Sequence, residues 1–164
     1  MRKIMLLPAA AAMFLSSCSN TELDGTWKSE IIADNDGVNT RTERVVWQIK
    51  GGDVQETRLV NIESEQNDER VSVVCESVVE GALKLKDGSV SIAYDAESLK
   101  LKVDVISTLS GEEESKISAA LGEAQKQRYI DSEETPIVHT GAALSGDTLT
   151  LTYCGHDGVK FCRK

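Results

Sequence analysis

His139 and His156 are the two histidines of this 164-residue chain, and their imidazoles are its best candidates for acid–base chemistry. His156 lies in Gly155-His156-Asp157-Gly158, a composition that predicts a turn. His139 falls in a predicted strand without an identifiable acidic or nucleophilic partner. A Ser-His-Asp triad is assembled in space, so the sequence leaves it open. Because the chain has no GxSxG elbow and no glycine-rich phosphate loop, we predict no catalytic residue, no cofactor and no enzyme.

Asp34-Asn35-Asp36-Gly37 has the residue types that open a calcium-binding loop. The remaining ligands and the glutamate at the twelfth position are missing, so we interpret the segment as a turn. Cys75, Cys154 and Cys162 and the two histidines lack the paired CxxC or HxxxH spacing of zinc sites. The sequence therefore predicts no metal site.

The same three cysteines raise the question of disulfides. In a hairpin of strands 149–153 and 159–163, Cys154 and Cys162 would lie roughly 13 Å apart at about 3.3 Å per residue. A disulfide needs Cα atoms within about 7 Å. Cys75 with one of the other two is at least as well placed, and three buried thiols are a further alternative. The pairing stays open at this point.

Cys18 ends an N-terminal segment that predicts export and lipidation. Arg2 and Lys3 are positive, residues 4–15 are apolar apart from Pro8, and small residues at 16 and 17 precede the cysteine. This layout is typical of a secretory signal, and the cysteine after it resembles the lipobox of bacterial lipoproteins. We predict a signal peptide at 1–17 and diacylation of the Cys18 thiol. The alternative is an ordinary signal peptide cut near residue 17.

The apolar run of residues 4–15 is too short to span a bilayer, which takes about 20 residues. Two or three acyl chains would anchor the protein firmly, because each buried CH₂ contributes about 0.8 kcal/mol. Ser19 follows the cysteine, and by resemblance to Gram-negative sorting rules this favours the outer membrane of the cell envelope, on a face that stays open. Residues 18–23 are predicted to be a lipidated tether and residues 24–164 one domain.

The net charge of the chain is −9, and removal of Arg2 and Lys3 leaves 16 basic and 27 acidic residues, a net charge of −11. A strongly acidic surface argues against binding to nucleic acid or to anionic lipid through the protein surface. Solubility is the simpler explanation of this charge.

Short antiparallel strands are predicted for most of the domain at residues 24–164. Asp87-Gly88 is a strong hairpin signal that sets Leu85 opposite Val90 and Leu83 opposite Ile92. A second turn, predicted at Ala96-Glu97, would set Tyr94, Ile92 and Val90 opposite Leu99, Leu101 and Val103. This register places the lysines on one face and the apolar residues on the other. The apolar face is the candidate lining of a ligand cavity: Leu83, Leu85, Val90, Ile92, Tyr94, Leu99, Leu101 and Val103.

One helix interrupts the strands. Ser110 and Glu113 have the spacing of a capping box. Apolar residues then recur at helical spacing at Ile117, Ala120, Leu121 and Ala124. We predict a helix over 111–128 that packs on the outside of the sheet or across an open end.

Nine or ten antiparallel strands with one helix predict an all-β fold. After the helix, 137–144 and 148–153 form a predicted hairpin, and a last strand over 159–163 can present Val159, Phe161 and Arg163 to one side. Since nearly every connection is short, an antiparallel up-and-down β-barrel is favoured, because closure removes exposed strand edges. A sandwich is the alternative.

Gly25-Thr26-Trp27 at the start of the first strand resembles the GxW signature of the lipocalin superfamily. The layout of lipobox, tether, GTWK, meander, a GDTLTL strand at 146–151 and a final strand ending at Arg163 is similar to the lipocalin-like lipoproteins of Bacteroidetes. The resemblance implies that Trp27 closes one end of the barrel under Arg163, a cation–π contact of about 0.5–2 kcal/mol. Lipocalin helices usually follow the eighth strand, whereas this helix precedes the last three.

Two functions follow as expectations, both non-enzymatic. A barrel of eight to ten strands can hold one small apolar ligand, although the same side chains could fill the interior completely. The alternative is a protein-binding module of the envelope, either a subunit of a complex or an inhibitor of a lysozyme-like enzyme or a protease. The volume of the cavity would separate the two.

Overall fold

A computed structural model describes residues 20–66 and 69–164 of the chain. It contains one short 3₁₀ helix at Asn20–Leu23, ten strands and one α-helix. In chain order these are β1 (Gly25–Ser29), β2 (Ile32–Asn35), β3 (Asn39–Lys50), β4 (Asp53–Gln66), β5 (Glu69–Lys86), β6 (Ser89–Ser107), α1 (Gly111–Glu134), β7 (Ile137–His139), β8 (Ala143–Ser145), β9 (Thr148–Tyr153) and β10 (His156–Arg163).

The strands form one antiparallel sheet that curls strongly into a half-barrel, which confirms the predicted all-β, barrel-like fold. The order of strands is β7-β6-β5-β4-β3-β1-β10-β9-β8, with β2 pairing to β3. Neighbours in space are thus mostly neighbours in sequence, and β1 meets β10. Between the two ends of the sheet, the backbone N–H of Thr152 in β9 donates to Thr140 O, just after β7, over 2.8 Å.

The hairpin of β5 and β6 is longer than predicted. The turn at Asp87-Gly88 and the pairs Leu85–Val90 and Leu83–Ile92 are confirmed. Both turn residues have positive φ, 51° and 70°, as a two-residue hairpin turn requires.

The predicted turn at Ala96-Glu97 was wrong. This segment is a bulge within β6, where Ser98 Oγ accepts from Glu80 N and donates to Asp95 O, at 2.8 and 2.7 Å. These bonds satisfy the local backbone without a reversal of the chain. Leu101 therefore lies opposite Ser77 and Val103 opposite Cys75, not opposite Ile92 and Val90. Leu99 lies within the bulge, between the paired residues Asp95 and Lys100, and is not opposite Tyr94.

Helix α1 begins as predicted. Ser110 accepts from Glu113 N, and the Glu113 side chain accepts from Ser110 N, which confirms the capping box. The helix extends to Glu134, six residues beyond the predicted end at 128. Its packed face also differs, because Ala120 and Ala124 are exposed. The face that packs comprises Ile117, Ser118, Leu121, Gly122, Gln125, Arg128, Tyr129 and Ser132.

The hydrophobic core lies within the curl of the sheet and includes Tyr129 of α1. The rings of Trp47 and Phe161 stack with centroids 4.4 Å apart, and both side chains are fully buried. Val159 and Phe161 are both buried, as their predicted face requires. The core is continuous from the 3₁₀ helix at one end to Tyr129 of α1.

The start of the described chain belongs to this packed body. Asn20–Leu23 lies within the stretch predicted to be a tether, yet it forms the 3₁₀ helix and Leu23 is fully buried. The indole N–H of Trp27 donates to Leu23 O over 2.7 Å. Within the described ranges no helix combines the length and the apolar character needed to cross a bilayer.

Candidate functional site

The concave face of the half-barrel carries a group of buried polar residues, here called the interior polar cluster. Its members come from β3, β4, β5, β6 and α1, and several are almost inaccessible to solvent. Polar groups at such positions are normally hydrogen-bonded, because unpaired burial is costly. The cluster consists of Glu43, Glu56, Arg58, Ser77, Tyr94, Gln125 and Tyr129.

A buried ion pair forms one half of the cluster. Arg58 donates from Nε and Nη2 to the two carboxylate oxygens of Glu43, at 2.5 and 2.8 Å. Arg41 adds a bond to Glu43 at 2.7 Å, and Arg58 Nη1 donates to Gln125 Oε1 of the helix at 3.2 Å. Burial raises the pKa of Glu43, but the hydrogen bond and charge of Arg58 outweigh it and the pKa is lowered overall. The pair is therefore ionised at neutral pH.

Glu56 is the centre of the other half. Its carboxylate accepts from Trp47 Nε1 at 2.8 Å, from the Tyr94 hydroxyl and from the Tyr129 hydroxyl at 3.3 Å. The Tyr129 hydroxyl also lies 3.0 Å from Ser77 Oγ. Burial and the charge of Glu56 raise the pKa of Tyr129 to about 12 and that of Tyr94 well above its usual value. Both hydroxyls therefore keep their protons at neutral pH.

Five buried side-chain polar atoms among the described residues have no hydrogen-bond partner. Three of them belong to residues on which the charges of the cluster act: Arg128 Nε, His139 Nε2 and Tyr153 OH. We call these three residues the open triplet. His139 is 2% exposed and Tyr153 0%, and their rings stack with centroids 4.7 Å apart. Arg128 reaches the same place from α1, with Nη2 3.6 Å from the sulfur of Cys154, the neighbour of Tyr153.

The imidazole of the triplet is neutral at pH 7. Burial, and then the charge of Arg128, lowers the pKa of His139 to about 4, while a hydrogen bond with the backbone of Thr152 opposes the shift. A buried donor or acceptor without a partner costs about 1–3 kcal/mol. The triplet is therefore where a bound polar group would gain most.

The apolar residues predicted to line a cavity have a different place. Four of them, Leu83, Val90, Ile92 and Tyr94, are at most 2% exposed and belong to the continuous core. Leu85 and Leu99 pack against that core. Leu101 and Val103 are half-buried beside α1, where Ser118 Oγ lies 3.5 Å from Val103 O. An apolar ligand in contact with all eight would have to displace core side chains.

Trp27 and Arg163 meet at the end of the half-barrel that holds the 3₁₀ helix. They are paired across β1 and β10, and the guanidinium carbon lies 4.6 Å from the indole centroid. Arg163 Nη2 also donates to Glu22 O over 2.7 Å. Gly25 has a φ of 132°, which other residues rarely adopt, beside the Arg163 side chain. This is the contact that the lipocalin resemblance implies for the pair.

The remaining candidate residues, which are the three cysteines, His156 and Asp36, lie outside the interior polar cluster. Cys75 is buried, Cys154 and Cys162 are exposed, and all three are free thiols. His156 lies at the start of β10, with Nε2 3.3 Å from Asp34 Oδ2. Asp36 forms the predicted turn by accepting from Val38 N and Asn39 N. No group of three potential metal ligands occurs among the described residues, and Cys18 lies outside them.

A second concave surface lies at the far ends of the long hairpins. This tip groove has a volume of about 520 Å³. Its apolar side chains include Val38 and Ile106, which are 49% and 71% exposed, and Val71. Arg70 and Glu65 form an exposed ion pair on its rim.

Sequence reasoning missed the interior polar cluster. The alternation within strands was a usable signal, because Glu43 shares its face with Val45 and Trp47. Glu56 and Arg58 likewise share a face with Val54 and Val60. The residues that α1 adds to the cluster could not be found from hydrophobic periodicity, because the face of the helix that contacts the cluster is polar.

The chain was also compared with known proteins. No protein-family model matches it, and no curated protein matches it.

Proposed function

We propose that this chain is a lipid-anchored, lipocalin-like binding protein of the cell envelope that holds a small molecule inside the half-barrel and catalyses no reaction. The observation that carries the proposal is the open triplet beside the interior polar cluster. A barrel that needed only stability would gain more from apolar side chains, since a buried ion pair often stabilises less than a well-packed hydrophobic replacement.

The interior polar cluster and the open triplet favour a polar ligand over the apolar ligand expected from the sequence. The apolar candidates Leu83, Val90 and Ile92 are already in contact with the core. The free hydrogen-bonding capacity lies instead at Arg128, His139 and Tyr153. A few convergent polar groups within an otherwise apolar site are typical of small-molecule binding.

Binding without catalysis fits the state of the ionisable groups. The carboxylates of Glu43 and Glu56 are occupied by hydrogen bonds from arginine, tryptophan and tyrosine. The ring neighbours of the neutral His139 are Trp47 and Tyr153, and burial raises the pKa of Tyr153 so that its hydroxyl keeps its proton. General acid–base work needs a group within hydrogen-bond reach of the proton it moves.

The proposal is tested by Tyr153→Phe and Tyr94→Phe in the full-length mature protein, with thermal shift as the readout. Tyr153→Phe removes a hydroxyl without a partner, so the free protein should keep or gain stability. Addition of small molecules extracted from a bacterial envelope should then raise the melting temperature of the wild type more than that of Tyr153→Phe. Tyr94→Phe deprives Glu56 of a donor and should destabilise the free protein.

Two results would contradict this assignment. The first is a loss of stability in free Tyr153→Phe as large as in Tyr94→Phe, which would make the Tyr153 hydroxyl a structural group. The second is an equal response of wild type and Tyr153→Phe to the extract.

The tip groove supports a second candidate function, a protein-binding module. Exposed apolar side chains at Val38 and Ile106 are the kind of surface that a partner protein covers. The acidic net charge suits a basic partner. We expect the protein to capture a basic envelope protein at low salt. The Ile106→Asp variant should lose this capture, and the control Ile130→Asp should keep it. Equal capture by both variants would exclude the groove.

A further inference from the structure

The guanidinium edge formed by Nε and Nη2 has different partners in Arg58 and in Arg128. Arg58 donates from Nε and Nη2 to the carboxylate of Glu43, at 2.5 and 2.8 Å. On Arg128, Nε has no hydrogen-bond partner, and Nη2 has only the sulfur of Cys154, at 3.6 Å. Among residues 20–66 and 69–164, no carboxylate forms an ion pair with Arg128. A largely buried guanidinium normally has such a partner.

The segment that contacts this edge carries a further buried donor, because Cys154, whose sulfur lies 3.6 Å from Nη2, directly follows Tyr153. Tyr153 is fully buried, and its hydroxyl is a donor without an acceptor. Neighbouring Glu56 and Glu43 are occupied by their own donors, so neither carboxylate is available to Arg128. Arg58 lies near enough for its charge to act on Arg128, but that charge is paired with Glu43.

We propose that the Nε–Nη2 edge of Arg128, with the Tyr153 hydroxyl, is the recognition point for the carboxylate of a small carboxylic acid held in the half-barrel. This inference rests on the proposed function and names the chemical class of the ligand. The planar fork of arginine matches the two oxygens of a carboxylate. The Arg58–Glu43 pair shows the same match within this molecule.

The test uses the full-length mature protein and a panel of sodium acetate, sodium succinate and sodium benzoate. Sodium chloride at equal ionic strength separates specific binding from screening of surface charge. At least one carboxylate should raise the melting temperature saturably, whereas chloride should not. Arg128→Lys should weaken that binding by about tenfold to a hundredfold, because a lysine keeps the charge but loses the fork.

Lys126→Met is the matched control, since it removes a positive charge from the exposed side of the same helix. It should leave carboxylate binding unchanged, and Arg128→Met should abolish it. If Arg128→Met fails to fold, the carboxylate affinity of Arg128→Lys still tests the role of Arg128. No saturable effect of any carboxylate, or equal binding by wild type and Arg128→Lys, would overturn the inference.

Identification of a co-purified ligand distinguishes this inference from the proposed function. A bound small molecule without a carboxylate would overturn the inference and leave the binding function standing. Carboxylate binding that survives in Arg128→Lys but is lost in Tyr153→Phe would overturn the role of Arg128 alone. The absence of any small-molecule binding would overturn both.

Discussion

At the scale of single residues, the ionisation of His139 makes the clearest prediction. Its pKa is about 4 in the folded protein against 6.5 as the ordinary value. The unfolded chain therefore takes up a proton before the folded chain does, and stability falls as the pH drops from 6.5 to 4. The loss should reach about 3 kcal/mol at 1.36 kcal/mol per pKa unit. Urea unfolding at a series of pH values measures it.

The control for this prediction is His139→Gln, which keeps a polar side chain but does not titrate. The fall in stability between pH 6.5 and 4.5 should disappear in this variant. Glu43, whose pKa is lowered, loses its contribution only as the pH falls below its ordinary value of 4.5. An unchanged pH profile in His139→Gln would show that the imidazole is not the group responsible.

Trp27 carries a second prediction at this scale. The indole is fully buried, donates to Leu23 O and lies under the Arg163 guanidinium. Trp27→Ala should cost about 3–5 kcal/mol, in the range of other buried tryptophan truncations. Arg163→Met should cost only about 0.5–2 kcal/mol, the size of a cation–π contact. A loss near zero for Trp27→Ala in denaturant unfolding would refute its role as a cap.

At the scale of elements, two glycines respond in opposite ways to alanine. A Cβ at Gly81 in β5 would lie 2.6 Å from the backbone oxygen of Ala93, so the two strands would have to separate. Gly81→Ala should therefore cost about 1–3 kcal/mol. At Gly122 in α1 the nearest atom is Leu101 Cδ2 at 3.9 Å, and Gly122→Ala should gain up to about 1 kcal/mol. Thermal unfolding of both variants measures these changes in stability. A change of the same sign in both variants would contradict the packing of β5 on β6.

The elements also show which features sequence could predict. The turn at Asp87-Gly88 and the capping box of Ser110 are local, and both were predicted at the right residues. The continuation of β6 through Ala96 depends on pairing with distant residues of β5, so a local turn signal was misleading. The polar packed face of α1, with Gln125 and Arg128, depends on the charges of β3 and β4 beneath it.

At the scale of the whole molecule, the proposed anchor and the tip groove lie at opposite ends. Leu23, near the start of the described chain, accepts a hydrogen bond from Trp27, and Gly25 in the same strand pairs with Ile49 at one end of β3. The groove lies at the other end, beyond Asn39, which is about 33 Å away at 3.3 Å per residue. A lipid on Cys18 would therefore direct the groove away from the membrane.

Metabolic labelling with a fatty-acid analogue tests that anchor. The wild type should incorporate the label and sediment with membranes, and Cys18→Ser should do neither. Cys162→Ser is the control, because it removes an exposed thiol outside the predicted signal segment and should retain the label. Labelling of Cys18→Ser equal to that of the wild type would exclude lipidation at Cys18.

We propose that the half-barrel binds a small molecule through the open triplet beside the interior polar cluster. Native mass spectrometry of the full-length protein from a bacterial envelope extract, after release from detergent, tests it most directly. We predict one bound molecule per chain, released by organic extraction and lost in Arg128→Met but not in Lys126→Met. A bare protein mass that stays bare after incubation with the small-molecule fraction of the envelope would contradict the claim.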